Sequence, residues 1–191
     1  MDSEDILPKK INVNFQGDHY FSNLVCALLL FKVANQDVDL SSIDIFDLSL
    51  PEGRNQKIDF DGRDVFIDFA HTPDALDASL KSLRSTHSGN LICLFGCGGD
   101  RDRSKRSKMG KIAENLSDQV FVTNDNPRSE DPETIVEDIL SECSSKNIKV
   151  IFDRKEAILE SLESLVNSKP GSALLIACLL YTSPSPRDSG K

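Results

Sequence analysis

Apolar runs of strand length alternate with helical patterns over most of the chain. Four such runs, at 65–69, 91–95, 120–123 and 150–152, alternate with helical patterns near 73–86, 105–116, 132–144 and 154–167, and a fifth run at 173–177 closes the series. Strands separated by single amphipathic helices imply right-handed crossovers and a mostly parallel sheet. The sequence therefore predicts an α/β domain that begins near Asp64 and carries helices on both faces of its sheet.

A different pattern precedes this series. Residues 23–36 contain no Gly or Pro and predict a mostly buried helix, and a second short helix is expected at 40–48. Residues 57–60 and 65–70 flank Asp61-Gly62, a pair typical of a tight hairpin turn. At the other end the pattern breaks at Cys178, and residues 182–191 have a disordered composition.

The composition narrows the class of partner. The chain has 191 residues, with 22 Lys and Arg against 31 Asp and Glu, and its net charge of -9 leaves no broad basic face for nucleic acid. Of five scattered cysteines only Cys93 and Cys97 are near one another, which fits reduced thiols and predicts no zinc site. The longest apolar stretch, 24–34, is shorter than the ~20 residues that cross a bilayer. We therefore expect a soluble, cytoplasmic, monomeric protein without membrane contacts or metal ligands.

Polar residues follow each predicted strand, at the edge where parallel sheets bind ligands. They are AHTPD at 70–74, GCGGDRDRSKR at 96–106, NDNPR at 124–128, and Asp153-Arg154. Gly96, Gly98 and Gly99 could form a backbone nest for an anion, or they could serve only the packing of the turn. The spacing typical of dinucleotide-binding loops is absent.

The segment at 125–128 has the chemistry to hold an amino acid. Asp125 can accept from an ammonium group, Asn126 can donate and accept, and Arg128 can fork onto a carboxylate. An ordinary turn beside a helix N-cap is the alternative interpretation. Asp68 interrupts an apolar strand and so needs a partner or a ligand. His71 is not proposed as a general base.

Four segments together resemble one enzyme family. They read IDFAHTPDAL at 67–76, FGCGGDRDRSKRSKMG at 95–110, VTNDNPRSEDP at 122–132 and DRKEAI at 153–158. In this order and spacing they resemble the Mur ligases, specifically the UDP-N-acetylmuramoyl-tripeptide synthetase branch, and the resemblance covers Gly17 to Ala177. It implies the Rossmann-like, mostly parallel C-terminal domain of that family.

The resemblance also implies an activity and a set of site residues. The family is an ATP- and Mg2+-dependent acid–amino-acid ligase of peptidoglycan synthesis, which joins meso-diaminopimelate to a UDP-muramoyl dipeptide through an acyl phosphate. Matched positions would hold the free end of meso-diaminopimelate with Arg101, Asp125, Asn126 and Arg128. Four others would contact the nucleotide, namely Asn23, Arg54, Asp68 and His71.

The sequence also departs from the family's pattern. Tyr20 stands where the family has an asparagine, and Ser107 stands where a proline is usual. The chain contains no GxxxxGK[ST] phosphate loop, no counterpart of the family's carbamoylated lysine and no Gly-Lys-Gly-His-Glu segment after residue 177. We therefore expect a C-terminal fragment that has no complete catalytic site and is inactive alone.

The predicted organisation has three parts. Residues 1–62 would be a helical and hairpin remnant of an ATP-binding central domain, 63–178 a truncated amino-acid-binding domain, and 179–191 a non-native tail. Two other functions remain open at this point. A non-catalytic module that binds diaminopimelate or a muropeptide would also use the DNPR segment, whereas a dinucleotide-dependent oxidoreductase would explain only the glycine loop and the α/β pattern.

Overall fold

A computed structural model of the chain describes residues 17–40, 50–144 and 147–178. The chain divides into two compact units, one up to Pro51 and one from Glu52 onward. In the first unit, helix α1 spans Asp18–Ala34, so the helix predicted at 23–36 is confirmed but begins five residues earlier and ends two residues earlier. The prediction that it is mostly buried is wrong, because Leu28 is the one buried side chain among its described residues. Most of the helix predicted at 40–48 and the tail at 179–191 lie outside the described residues. No helix in the described part of the chain is long and apolar enough to span a bilayer.

The second unit contains one six-stranded sheet with four helices. Its strand order is β1-β2-β6-β3-β4-β5, with β1 antiparallel to β2 and all other neighbours parallel. The elements are β1 (Gln56–Phe60), β2 (Arg63–Asp68), α2 (Pro73–Thr86), β3 (Leu91–Phe95), α3 (Ser104–Leu116), β4 (Gln119–Val122), α4 (Pro132–Leu140), β5 (Ile148–Val150), α5 (Arg154–Val166) and β6 (Ala173–Ala177). The predicted fold class is therefore confirmed.

Both faces of the sheet are covered, because inward-facing side chains alternate along the strands. Phe66, Cys93 and Leu175 point to the face on which α2, α3 and α4 pack. Val65 and Leu174 are among the strand residues that point to the opposite face, which α5 covers. From β3 the chain continues through β4 to the edge strand β5, with α2, α3 and α4 on one face of the sheet. Helix α5 then crosses the opposite face and leads to β6, which lies between β2 and β3.

The hairpin between β1 and β2 extends the sheet beyond the predicted domain start. Asp61 and Gly62 have φ angles of 54° and 72°, the left-handed conformation expected for the predicted turn. All five residues of β1 pair with β2. The predicted boundary between 62 and 63 therefore falls within this hairpin, whereas the compact unit begins at Glu52.

Capping residues set the starts of three helices. Thr72 and Asp131 each precede a proline at the first helical position, and their side chains accept from the backbone N–H groups of Ala75 and Glu133. The Asp153 carboxylate accepts from Glu156 N at the start of α5. These caps hold the loops that join the carboxyl ends of β2, β4 and β5 to the helices that follow.

Candidate functional site at the carboxyl edge of the sheet

The carboxyl ends of all five parallel strands meet at one edge of the sheet. The segments after β2, β3, β4 and β5 are those whose polar residues the sequence singled out, and Cys178 follows β6 between them. Lys105 Nζ of α3 crosses β6 and donates to His71 O at 2.8 Å, and Cys178 Sγ, directly after β6, donates to Ala70 O after β2 at 2.8 Å. In this class of fold, ligands bind at such an edge.

The loops after β3 and β4 are joined by direct hydrogen bonds. Gly99 N donates to Asn126 O at 2.9 Å, and Arg128 Nη1 donates back to Gly99 O at 2.6 Å. Arg128 N also donates to Asn126 Oδ1 at 3.2 Å, and Arg128 has a φ of 51°. The guanidinium of Arg128 is therefore oriented by the glycine loop, while its side chain remains exposed.

The glycines of the loop after β3 lie close to the loop after β4. A Cβ at Gly96 would lie 2.2 Å from Thr123 O, and one at Gly99 would lie 1.8 Å from Pro127 O. A Cβ at Gly98 would lie 2.9 Å from Arg128 Nη1. Close packing thus accounts for Gly96 and Gly99, because a side chain at either position would push the two loops apart, whereas a Cβ at Gly98 would displace only the end of the Arg128 side chain.

The four residues predicted to bind diaminopimelate lie on these two facing loops. Arg101 is exposed and makes no hydrogen bond or ion pair within the described part of the chain. Asp125 is paired with Arg154, whose Nη2 lies 2.9 Å from Asp125 Oδ1 and whose Nε donates to Asn124 O at 3.3 Å. Arg154 begins α5, so this ion pair joins the loop after β4 to the loop after β5. The sequence singled out Arg154 as a polar residue after a predicted strand but did not predict its pairing with Asp125.

A buried ion-pair cluster beneath the loops was also missed. Arg106 is fully buried, and its two terminal nitrogens donate to both carboxylate oxygens of Glu130 at 2.9 Å each and to Asp138 Oδ2 at 2.8 Å. The Arg106 guanidinium, with help from the Asp100 N–H and Arg103, lowers the pKa of Glu130 to about 2. The pattern of charges in 100–106 could have suggested such a network, but no local signal tells which arginine is buried.

Three of the predicted nucleotide contacts lie in the second unit. Asp68 is buried at the end of β2, and its Oδ2 accepts from Ser79 Oγ of α2 at 2.8 Å, so the strand carboxylate has an internal partner. His71 is exposed beside Phe69, with ring centroids 4.5 Å apart, and the Arg54 guanidinium lies 4.1 Å from the centre of the Phe69 ring. The fourth residue, Asn23, is exposed on α1 in the first unit.

The thiols and carboxylates of this edge do not form a reactive or metal-binding cluster. Burial raises the pKa of Cys93 to about 12 and that of Cys97 to about 11, so both remain protonated thiols at neutral pH. Within the described ranges, no group of three or more His, Cys, Asp or Glu side chains could hold a metal ion. The described residues therefore do not offer a set of three or more such ligands for Mg2+.

Comparison with known proteins agrees with this geometry. Residues 53–178 match the family model described as "Mur ligase, glutamate ligase domain". The chain is 43% identical over 144 residues to UDP-N-acetylmuramoyl-L-alanyl-D-glutamate–2,6-diaminopimelate ligase of Coxiella burnetii. The matched segment covers 74% of this chain and 29% of that protein. The chain spans about a third of the length of the curated relatives it matches.

Solved structures give the same result. A structure of UDP-N-acetylmuramoyl-L-alanyl-D-glutamate–2,6-diaminopimelate ligase superposes with a TM-score of 0.64 at 36% identity, over 88% of this chain and 34% of that one. Folylpolyglutamate synthase of Mycobacterium tuberculosis shares the fold at 20% identity, with a TM-score of 0.73 over 90% of this chain and 40% of that one. The family model matches residues 53–178, which include all the loops of the candidate site, and this match shows that the chain belongs to the Mur ligase family.

Proposed function

We propose that this chain is part of an ATP-dependent ligase that joins meso-diaminopimelate to UDP-N-acetylmuramoyl-L-alanyl-D-glutamate in peptidoglycan synthesis. The second unit would hold the incoming amino acid at the carboxyl edge of its sheet. Residues up to Pro51 would belong to an ATP-binding central domain, and the tail at 179–191 would be non-native. The parent protein would be a cytoplasmic monomer that activates the substrate carboxylate as an acyl phosphate.

One observation carries this proposal. The segments that contain Arg101 and Arg128 lie on two loops held together through Gly99, beside the Asp125 carboxylate. An amino acid with a distal carboxylate and a distal ammonium needs groups of both signs at that edge. The two arginines would face the carboxylate, while Asp125 and Asn126 would face the ammonium.

The same residues would set the preference for diaminopimelate over lysine. The two amino acids differ by one carboxylate, and a charged hydrogen bond to it is worth about 1.5–3 kcal/mol. Lysine would leave Arg128 without that partner, so a site built around this arginine discriminates against it. Because Arg128 is exposed in the free chain, the bound ligand would itself exclude water from the pair.

The nucleotide would lie near the loop after β2. The exposed His71 ring and the cationic Arg54, both against Phe69, suit the flat face of a base and a phosphate group, respectively. Bound ATP would supply the phosphoryl group that activates the carboxylate. Asp68 would position His71 from within the core, because its hydrogen bond with Ser79 fixes the end of β2, three residues before His71.

Calorimetric titration of the full chain tests the amino-acid site. We expect meso-diaminopimelate to bind more tightly than L-lysine by about tenfold or more, and Arg128→Ala to abolish that difference through loss of about 1.5–3 kcal/mol. Lys81→Ala is the matched control, because it removes an exposed cation on α2 that pairs with Asp77 of the same helix. It should leave both affinities unchanged.

Two results would contradict the proposal. Equal affinity for lysine and diaminopimelate in the unmodified chain would remove the assigned specificity, and binding that survives Arg128→Ala unchanged would place the ligand elsewhere. A non-catalytic module that binds diaminopimelate remains the alternative function. It would give the same titration but would make no ligase when joined to the remainder of a relative.

A further inference from the structure

Arg106 is an arginine with no exposed surface, and its partners come from three different segments. Its guanidinium bonds to Glu130 in the loop after β4, to Asp138 on α4 and, through Nη2 at 3.3 Å, to Gly98 O in the loop after β3. Its Nε is buried without a hydrogen-bond partner among the described residues. A buried guanidinium with an unsatisfied N–H is a costly arrangement, and a buried ion pair alone gives little net stability.

Glu130 is the point at which the contacts converge. Besides both terminal nitrogens of Arg106, its carboxylate accepts from Asp100 N at 2.6 Å and pairs with Arg103 Nη2 at 2.8 Å. The side chain of Glu130 is only 8% exposed. One carboxylate thus has four donors, and all four come from three residues of the segment 100–106.

These contacts bracket both arginines of the proposed pocket. Asp100 and Arg103, which flank Arg101, are both bound to Glu130. On the other loop, Glu130 follows Arg128 by two residues, and the residue between them, Ser129, donates to Asp100 through its N–H at 3.2 Å and its hydroxyl at 2.7 Å. Asp100 and Arg128 both have φ angles of 51°, a conformation that costs free energy for residues other than glycine and persists only when surrounding contacts hold it.

From this arrangement we infer that the buried Arg106–Glu130 pair is a positioning device that sets the separation and orientation of Arg101 and Arg128 toward the distal carboxylate of the amino-acid ligand. Neither Arg106 nor Glu130 touches the ligand in this scheme. The inference deepens the proposed function and rests on it for the identity of the ligand. The contacts that hold the two loops together are present in the chain without ligand, so the two loops are already joined before the ligand binds.

Two variants separate positioning from stability. The double variant Arg106→Met with Glu130→Gln removes both buried charges and keeps side-chain volume, a replacement that folded proteins often tolerate. Arg106→Lys keeps the charge but cannot form the two-pronged contact to Glu130. The control, Arg84→Met with Asp118→Asn, removes an ion pair at the opposite edge of the sheet while leaving an acceptor for Leu91 N.

Hydrogen exchange of the ligand-free chain is the first readout. The amides of Gly99, Asp100 and Ser129 are hydrogen-bonded across the two loops. We expect them to exchange at least tenfold faster in the double variant and in Arg106→Lys, while amides of β3 keep their protection and the control variant changes neither. Unchanged exchange of these three amides in both folded variants would overturn the inference.

Binding of meso-diaminopimelate to the full chain is the second readout. We expect the affinity to fall at least tenfold in both variants, with no comparable loss for the control. If the unmodified chain binds no diaminopimelate, the proposed function fails, and the exchange data still decide whether the pair positions the loops. If both variants unfold, the pair is required for the fold itself and the positioning role is rejected.

Discussion

At the scale of single residues, Glu130 shows how neighbouring donors fix a charge state. Its pKa falls to about 2 because Arg106, the Asp100 N–H and Arg103 all favour the ionised carboxylate. A carboxyl whose pKa is lower in the folded chain than in the unfolded chain stabilises the fold above its unfolded pKa, here near 4.5. That contribution is lost as the pH falls from about 4.5 through about 2.

The pH dependence of unfolding tests this assignment. We expect the free energy of unfolding of the unmodified chain to decrease more steeply between pH 4.5 and pH 2 than that of the variant Arg106→Met with Glu130→Gln. The two chains share every other acidic group, so the difference between their curves reports this pair. Urea unfolding at a series of pH values measures it, and parallel curves would show that the Glu130 carboxylate is not held by its neighbours.

Individual site residues were predictable to different degrees. Asp125, Asn126 and Arg128 form a local motif whose chemistry is readable from the sequence, and the structure brings them to the same edge as Arg101. The partner of Asp68 was not readable, because Ser79 lies eleven residues away on another element. Burial of Arg106 was equally hidden, since depth depends on how α3 and α4 pack and not on the charge pattern of 100–106.

At the scale of elements, the contact between α3 and α4 depends on Gly110. A Cβ at this position would lie 2.1 Å from Ile139 O and 3.1 Å from Cys143 Sγ, so the two helices approach through a gap that only hydrogen fills. Met109 and Ala113 flank this point in the core. The same pair of helices carries Arg106 and Asp138, so their spacing also bears on the cluster beneath the proposed site.

Substitution of this glycine should separate the helices. We expect Gly110→Ala to lower the free energy of unfolding by about 1–3 kcal/mol, because overpacking outweighs the higher helix propensity of alanine. Asn115→Ala, an exposed position on the same helix, is the control and should change it by less than about 0.5 kcal/mol. Urea unfolding followed by circular dichroism measures both, and equal stability of the two variants would contradict the close approach.

Element types followed from local patterns, whereas element ends did not. The apolar runs at 91–95 and 173–177 coincide with β3 and β6, since both strands are buried on both faces. The strand predicted at 150–152 is instead Ile148–Val150, a half-exposed edge strand whose position is set by pairing with Val120 and Val122. Helix α4 ends at Leu140 and not at residue 144, because Ser141 begins a turn that the helical pattern does not reveal.

At the scale of the whole molecule, the parallel arrangement of the strands brings the segments after β2, β3, β4 and β5 to one edge of the sheet. The sequence predicted a parallel sheet and hence that these segments converge, but it contained no indication that β6 would insert between β2 and β3. That insertion is a property of long-range pairing, which no local pattern encodes. Its consequence is that β6 separates the loop after β2 from the loops after β3 and β4, and the contact from Lys105 to His71 O bridges that separation.

The chain alone should not hydrolyse ATP when it is supplied with UDP-muramoyl dipeptide and meso-diaminopimelate. Its sequence contains no GxxxxGK[ST] loop, and in enzymes of this chemistry that loop holds the nucleotide phosphates and helps to place Mg2+. Release of inorganic phosphate measures the rate. Any turnover that requires both substrates would show that residues outside such a loop carry out the activation step.

A chimera tests whether this domain performs its proposed role in a complete enzyme. Residues 53–177 would replace the matching segment of the Coxiella burnetii relative, which keeps its own preceding domains and its own final segment. We expect ligase activity that prefers meso-diaminopimelate to lysine, and Arg128→Ala in the chimera should raise KM for diaminopimelate at least tenfold, because one carboxylate contact is lost. Lys81→Ala should leave both kinetic constants unchanged. A folded chimera that forms the acyl phosphate but accepts neither amino acid would mean that this domain does not supply the amino-acid pocket.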